Sequence, residues 1–541
     1  MSQVGGSGTA SGDPPGPHPP GMHWERFDPA QGPWDRRVRF GSDKGGSEFA
    51  YRPAELVVAV SQLDRLSEVL GAGHPVVGRA GGYVLVGGIG DPIEACRRLR
   101  AAGIDAQVNH VFFADAAAYP NPVGMPSPVG MPSPVGMPSP VGMPSPVGMP
   151  SPVGMPSPVG MPSPVGMPSS FDQWVYWATC GCRETGCVST GPARRRGPRR
   201  TLAVPAPPPR TTTADLAPRV PQSSGKCVVL IIDTGVAAPT SAGVVKVSGP
   251  GGIGAPPPGA GGFNVIVRSA NEDDDTADSD GDEYLDPFSG HGLFIAGVVD
   301  EIAPGATIVG QRGLRTFGDV DDFELARAIE IALVRLGRLA ALPAAPGCAA
   351  PVIAQDLLTL QSRPLVINLS FSGYCEDDDP PKATRSVLDT LVGDRSNGQS
   401  CTPYQHEERC DVVVVASAGN SRSCRITWPA GFDNVVSVGA LVGSRPAWFT
   451  NYGPWVSACA QGTDLLSRFW MNPTAAPYSD LDDYAGWAYW SGTSFAAPVV
   501  AASIAQEVIA SGGEPRDGVE RLIERPDLMR LGGLGTVINV L

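Results

Sequence analysis

Residues 122–169 are eight consecutive copies of the hexapeptide Pro-Val-Gly-Met-Pro-Ser. Two prolines in every six residues remove backbone donors and favour extended, polyproline-like segments, so no core can form there. The repeat splits the 541-residue chain into a shorter N-terminal part and a longer C-terminal part, each needing a core of its own. Residues 118–224 read as a linker of intermediate stiffness, in which a basic cluster at 194–200 follows the repeat. That cluster suits a solvated charge run or an exposed cleavage site, and the sequence leaves both open.

Hydrophobic residues make up 42% of the chain, enough for a sizeable core, while 68 glycines and 57 prolines demand much loop and linker. A net charge of −14 argues against a nucleic-acid partner held on a basic face. Apolar runs such as 227–232 and 412–416 fall far short of the ~20 residues that cross a bilayer, so no membrane span is expected. No apolar stretch follows a basic start near the N-terminus, and a cytoplasmic location is the default expectation. The eleven cysteines have no framework spacing and read as small, buried, reduced thiols. Cys180, Cys182 and Cys187 lack an obvious fourth ligand, so no metal site is assigned.

Residues 1–49 read as a disordered Gly/Pro-rich leader, too poor in apolar side chains to offset ordering entropy. Within 50–117, strands are expected at 57–60, 75–79, 83–86 and 104–113 and helices at 63–70 and 92–102. That order is the ferredoxin-like α+β pattern. Within 225–541, short apolar strands at 227–232, 263–267, 307–310, 365–369, 411–416 and 435–438 alternate with helices at 323–339 and 493–509. Such alternation predicts an α/β fold: a doubly wound, mostly parallel sheet covered on both faces, with ligands beyond the carboxyl ends of its strands.

Three motifs fall where that architecture would place a site. The strand at 227–232 runs into Asp233, Thr234 and Gly235; Ser289, Gly290, His291 and Gly292 open an apolar helix; Ser491, Gly492, Thr493 and Ser494 open the long final helix. Singly, each has a plain structural use as turn former, helix cap or turn filler. Together they meet a chemical requirement. A hydroxyl is a poor nucleophile at neutral pH and needs an adjacent base, and the base needs a buried carboxylate to fix its tautomer. Asp, His, Ser along the chain is one of three common orders for such a triad.

On these motifs the chain resembles the subtilisin-like serine proteases, the subtilases (peptidase S8), from about residue 225 to the C-terminus. Segments 303–306, 366–370, 416–420, 428–430 and 449–453 match further family motifs. The resemblance implies a serine endopeptidase that needs no cofactor and takes protein or peptide substrates through an acyl-enzyme. Ser494 is implied as the nucleophile, His291 as the base, Asp233 as its orienter and Asn420 as the oxyanion-hole side chain. Ser370, Phe371, Ser372 and Gly373, with Ala418 and Gly419, are implied to bind substrate, the first segment as a paired strand. Phe371 and Ser372 are bulkier than the usual Leu-Gly, so side-chain preference does not transfer. Leu293 and Phe495 replace a common threonine and methionine.

The small first domain resembles a subtilase prodomain ending near Asn109, His110 and Val111, which implies an intramolecular inhibitor and a latent precursor. Two other outcomes stay open: a catalytically silent scaffold used for binding, and a ligase or cyclase that resolves the acyl-enzyme with an amine. The acidic stretches 272–275 and 278–286 suit a solvated loop, a calcium site or a selector for basic substrate residues.

Overall fold

The computed structural model describes residues 38–116, 121–122, 227–236, 265–266, 275, 279, 286–347, 349–392, 411–470 and 487–539. Most of the leader, the repeat beyond its first proline, the basic cluster and much of the acidic stretch lie outside them.

The C-terminal part is built on one large sheet. Its strands run, edge to edge, Arg530–Leu531, Gly535–Ile538, Ala458–Gln461, Val435–Val442, Val412–Ser417, Leu365–Leu369, Val228–Asp233, Thr307–Arg312 and Val265–Ile266. All neighbours are parallel except the first pair. Every side chain of Val228–Asp233 and Leu365–Leu369 is buried, which matches their continuous apolar sequence and requires cover on both faces. Helices His291–Ile302 and Thr493–Ser511 pack together on the sheet, as do Asp322–Arg335 and Lys382–Val392. Strand order reverses between Val228–Asp233 and Leu365–Leu369, so a crevice opens at their carboxyl ends.

All six expected strands of this sheet are present with small shifts of boundary. The helix expected at 323–339 stops at Arg335, because Gly337 takes the left-handed conformation (φ 70°) that ends a helix. Lys382–Val392 was not anticipated. Its first amides, Ala383 and Thr384, donate to the Asp322 carboxylate at 3.0 and 2.8 Å, a cap supplied from another element.

The N-terminal part is a second, antiparallel sheet in the order Ala106–Ala114, Glu48–Ala59, Tyr83–Val86, Val76–Ala80, backed by helices Leu66–Leu70 and Pro92–Ala101. This is the expected ferredoxin-like arrangement. It begins earlier than the leader boundary at 49 allowed: Arg39–Ser42 pairs with Glu48–Ala59 as a hairpin, and Val38 is buried. The linker is also entered later than expected, since Asn121–Pro122 pairs with strand Trp487–Trp490.

The two parts are joined through the edge strand Ala106–Ala114, which pairs antiparallel with Asp319–Asp321 on one side and Phe371–Ser372 near its end. Buried Arg52 bonds Asp319 at 2.8 Å and Asp321 at 2.7 Å, Gly81 N donates to Glu330, and Glu376 N donates to His110 Nε2 at 2.9 Å. Burial pushes the His110 imidazole down to about 3, so it stays neutral and accepts that bond. Helix Thr493–Ser511 is long and apolar enough to cross a membrane, but it lies mostly buried inside this core. Cys96, Cys227, Cys375 and Cys459 are free and buried, as expected; Cys424 is disulfide-bonded, which corrects the expectation of reduced thiols throughout.

Candidate active site

Asp233 stands at the carboxyl end of its strand, on the reversal crevice. His291 opens its helix behind Gly290, whose φ of 82° suits a residue without a side chain. A Cβ at Gly292 would overlap the Gly235 carbonyl oxygen, so glycine there lets the strand-end turn and the helix start touch. The result is a bond of 2.8 Å between His291 Nδ1 and Asp233 Oδ1, with both side chains fully buried. The Thr234 amide donates to the same Asp233 oxygen at 2.8 Å. Phe288, Trp490 and Phe495 surround the imidazole, at 5.9, 5.3 and 5.2 Å between ring centres.

Ser494 lies in the first turn of the long helix, next to Phe495. Its Oγ donates to the Ser370 carbonyl at 2.8 Å, and His291 Nε2 is buried without a hydrogen-bond partner among the described residues. The hydroxyl is thus turned toward the substrate segment, not toward the imidazole. Ser370 Oγ in turn donates to the Ser494 carbonyl and accepts from Asn368, which fixes the segment against the helix.

Asn420 follows strand Val412–Ser417. Its Oδ1 accepts from the Thr493 amide at 2.9 Å and the Thr493 hydroxyl at 2.8 Å. That leaves Nδ2 a buried donor without a partner among the described residues. Asn451 holds the loop: its Nδ2 donates to the Ala418 carbonyl, its Oδ1 accepts from the Ser421 and Ser423 amides, and its own amide donates to Gly419. Gly419 has φ 100°, and a Cβ there would overlap Asn451.

The sequence reading missed three residues of this region. Asp275, from the acidic stretch, is buried and accepts from Thr234 Oγ1 at 2.9 Å and the Gly290 amide at 2.7 Å, tying together the two turns that carry Asp233 and His291. Burial pushes its carboxyl well above the usual range. Asp286 is likewise satisfied by Ser279 and Thr316. Among the described residues no group of carboxylates, histidines or cysteines could hold a metal ion. Nothing in a string of acidic residues marks which one turns inward.

The third is Asp115. The chain leaves strand Ala106–Ala114 and enters the crevice, where the Asp115 amide donates to the Ser370 carbonyl at 3.2 Å and its carbonyl accepts from the Ser494 amide at 3.1 Å. Phe371 pairs with Ala114 and Ser372 with Phe113, so the segment predicted to hold a substrate strand holds this chain's own. A Cβ at Gly373 would overlap the Val111 carbonyl, and one at Gly492 the Asp115 carbonyl, so both glycines permit the close passage. Ala418 and Gly419 line the loop beneath.

A doubly wound sheet bearing Asp, His, Ser and Asn at its reversal point, with a strand-accepting edge beside them, defines the class. The chain belongs to the subtilase family, peptidase S8, whose match covers residues 224–522, more than half its length. Its fold is accordingly subtilisin-like, preceded by the small α+β unit. Among similar proteins are a thermophilic serine proteinase from Bacillus sp. (strain AK1), 38% identical over 125 residues, and the subtilisin-like proteinase Mp1 from Magnaporthiopsis poae, 30% identical over 146. These stretches are 23% and 26% of this chain and span only 27% and 34% of those relatives. The crystal structure of a cold adapted subtilisin-like serine proteinase aligns over 59% of this chain and 90% of its own, at 20% identity and a TM-score of 0.36.

Proposed function

We propose that this protein is a serine endopeptidase, folded as a latent precursor in which the N-terminal domain is the inhibitor. The observation that carries the reading is the convergence of Asp233, His291, Ser494 and Asn420 from four separate segments: Asp233 bonds His291, whose ring packs on Phe495 beside Ser494, Asn420 bonds Thr493 on the other side of Ser494, and the Ser494 amide holds a carbonyl of the chain's own backbone.

In this reading Ser494 turns from Ser370 toward His291 and attacks the carbonyl carbon of the bound strand. His291 takes the proton on Nε2 while Asp233 holds Nδ1–H and stabilises the imidazolium. The developing oxyanion is held by the Ser494 amide, which already donates to the Asp115 carbonyl, and by Asn420 Nδ2, a buried donor without a partner among the described residues. Latency is supported by the edge strand and by Asp115, which fill the same groove that a substrate would use. The domain boundary at 117, the eight-repeat tether and a cytoplasmic location belong to the same proposal; the Cys424 disulfide is a bond more at home in oxidising compartments and weighs against the last.

A fluorophosphonate probe tests the assignment. Labelling at Ser494, together with digestion of an unfolded protein that Ser494→Ala fails to digest, is the expected result. Absence of both, in the wild type and in a variant whose inhibitor no longer docks, removes it.

A further inference from the structure

The chain does more than block the crevice; it crosses it as a substrate would. Upstream, Val111–Ala114 is held between two strands; downstream, Asn121–Pro122 pairs with Trp487–Trp490. Between them the Asp115 carbonyl oxygen sits on the Ser494 amide, and Ala116 passes close against Gly492. The Asp115 side chain is 3% exposed. Its Oδ1 accepts from Ser372 Oγ at 2.9 Å and its Oδ2 from Ser417 Oγ at 2.5 Å, one hydroxyl to each oxygen.

We propose that this crevice selects aspartate as the residue whose carbonyl is attacked, and that the bond it cuts in its own chain is Asp115–Ala116. The inference rests on the endopeptidase reading above and adds its substrate class and processing site.

The pocket argument is one of polar satisfaction. Ser372 and Ser417 are buried, and an apolar side chain between them would leave two hydroxyls without their acceptors. A lysine or arginine brings no acceptor, and a glutamate must fit an extra methylene into a pocket that aspartate already fills. Asparagine keeps one acceptor and obliges the other hydroxyl to turn. Among the described residues the groups facing the carboxyl are these hydroxyls; burial pushes it up to about 7, with the two hydroxyl bonds offsetting part of the lost water. The unusual Ser372, which stands where relatives of this motif have glycine, thus acquires a task.

The step balances as hydrolysis. Ser494 Oγ bonds to the Asp115 carbonyl carbon and passes its proton to His291. The bond to the Ala116 nitrogen breaks, and that nitrogen leaves with the proton as a new amino terminus. Water then adds to the ester, losing a proton to His291, and Ser494 departs with it, freeing a carboxylate on Asp115.

The test uses the full-length chain. Intact mass after incubation is expected to show two pieces, one ending at Asp115 and one starting at Ala116, with Ser494→Ala staying whole. The cut protein is then given peptides of sequence Phe-Phe-Ala-Xaa-Ala with Xaa varied. Aspartate is expected to be cut best, asparagine within about tenfold, and alanine, leucine, glutamate and lysine at least about 10²-fold more slowly. The double variant Ser372→Ala, Ser417→Ala is expected to lose that preference for aspartate over alanine. Fluorophosphonate labelling is read alongside. A labelled, protein-digesting enzyme that cuts elsewhere, or that ignores Xaa, overturns this inference and leaves the endopeptidase reading standing. A protein that neither labels nor digests, even when Arg52→Ala loosens the domain, overturns both.

Discussion

Two of the contacts between the N-terminal domain and the C-terminal part are built on opposite principles. At the clasp, Arg52 lies between Asp319 and Asp321, all three buried, charge set against charge. Burial alone would pull the guanidinium down, but the carboxylates outweigh it and hold its pKa above the ordinary value, while Arg52 holds Asp321 below its own. At the tail, Asp115 is buried with hydroxyls only, and its carboxyl is pushed up to about 7. Arg52 and Asp321 keep their charges across the neutral range; Asp115 does not. In the proposed reading, attachment that must outlast a cut is placed away from the site, and the contact inside the site is the conditional one.

Four measurements sharpen or break that contrast. Ser494→Ala is expected to give the largest effect, leaving only the residual ~10³- to 10⁴-fold over uncatalysed hydrolysis that binding and the oxyanion donors supply in such enzymes. Both contacts then stay covalently joined, and intact mass shows one species. Arg52→Ala comes next: Asp321 loses its buried cation and keeps its bonds to Glu324, and breaking a buried pair costs about 3–5 kcal/mol. The cut protein is expected to shed its N-terminal piece and digest protein without delay; unchanged latency would show that the clasp contributes little.

Asn420→Ala acts at the tail side alone and is expected to lower turnover about 10²- to 10³-fold with KM nearly unchanged, as removal of one oxyanion donor does. Steady-state kinetics on an aspartyl peptide checks it. The smallest effect, per pH unit, is the pH dependence of docking. The Asp115 carboxyl has a higher pKa docked, about 7, than its ordinary 3.8. Docking is therefore strongest below the ordinary value, weakens by about tenfold per pH unit as pH rises through the interval to about 7, and is level above it. Escape of the N-terminal piece, followed by size exclusion, should quicken over that range, and much less so in Asp115→Asn.

Much of this was legible in the chain. Continuous apolar runs fixed Val228–Asp233 and Leu365–Leu369 as sheet-centre strands, and glycines beside His291 and Ser494 marked points of close approach. The short strands Asp319–Asp321 and Trp487–Trp490 were not legible, because their pairing partners lie elsewhere in the chain and three or four residues carry no period; Phe371–Ser372 was expected to pair as a strand, but not with this chain's own segment. Asp275 hid among its acidic neighbours. Asp115 hid for a different reason: nothing local distinguishes a tail residue from a linker residue.

Residue types and their order alone determined the chemistry available here, since a nucleophile, a base and a carboxylate each announce themselves beside a turn glycine. Which peptide bond lies over the nucleophile, and which side chain fills the pocket beside it, was decided only in three dimensions. Those depend on where an edge strand is clamped hundreds of residues away, and register between distant strands is set by packing and hydrogen bonding that no local pattern encodes.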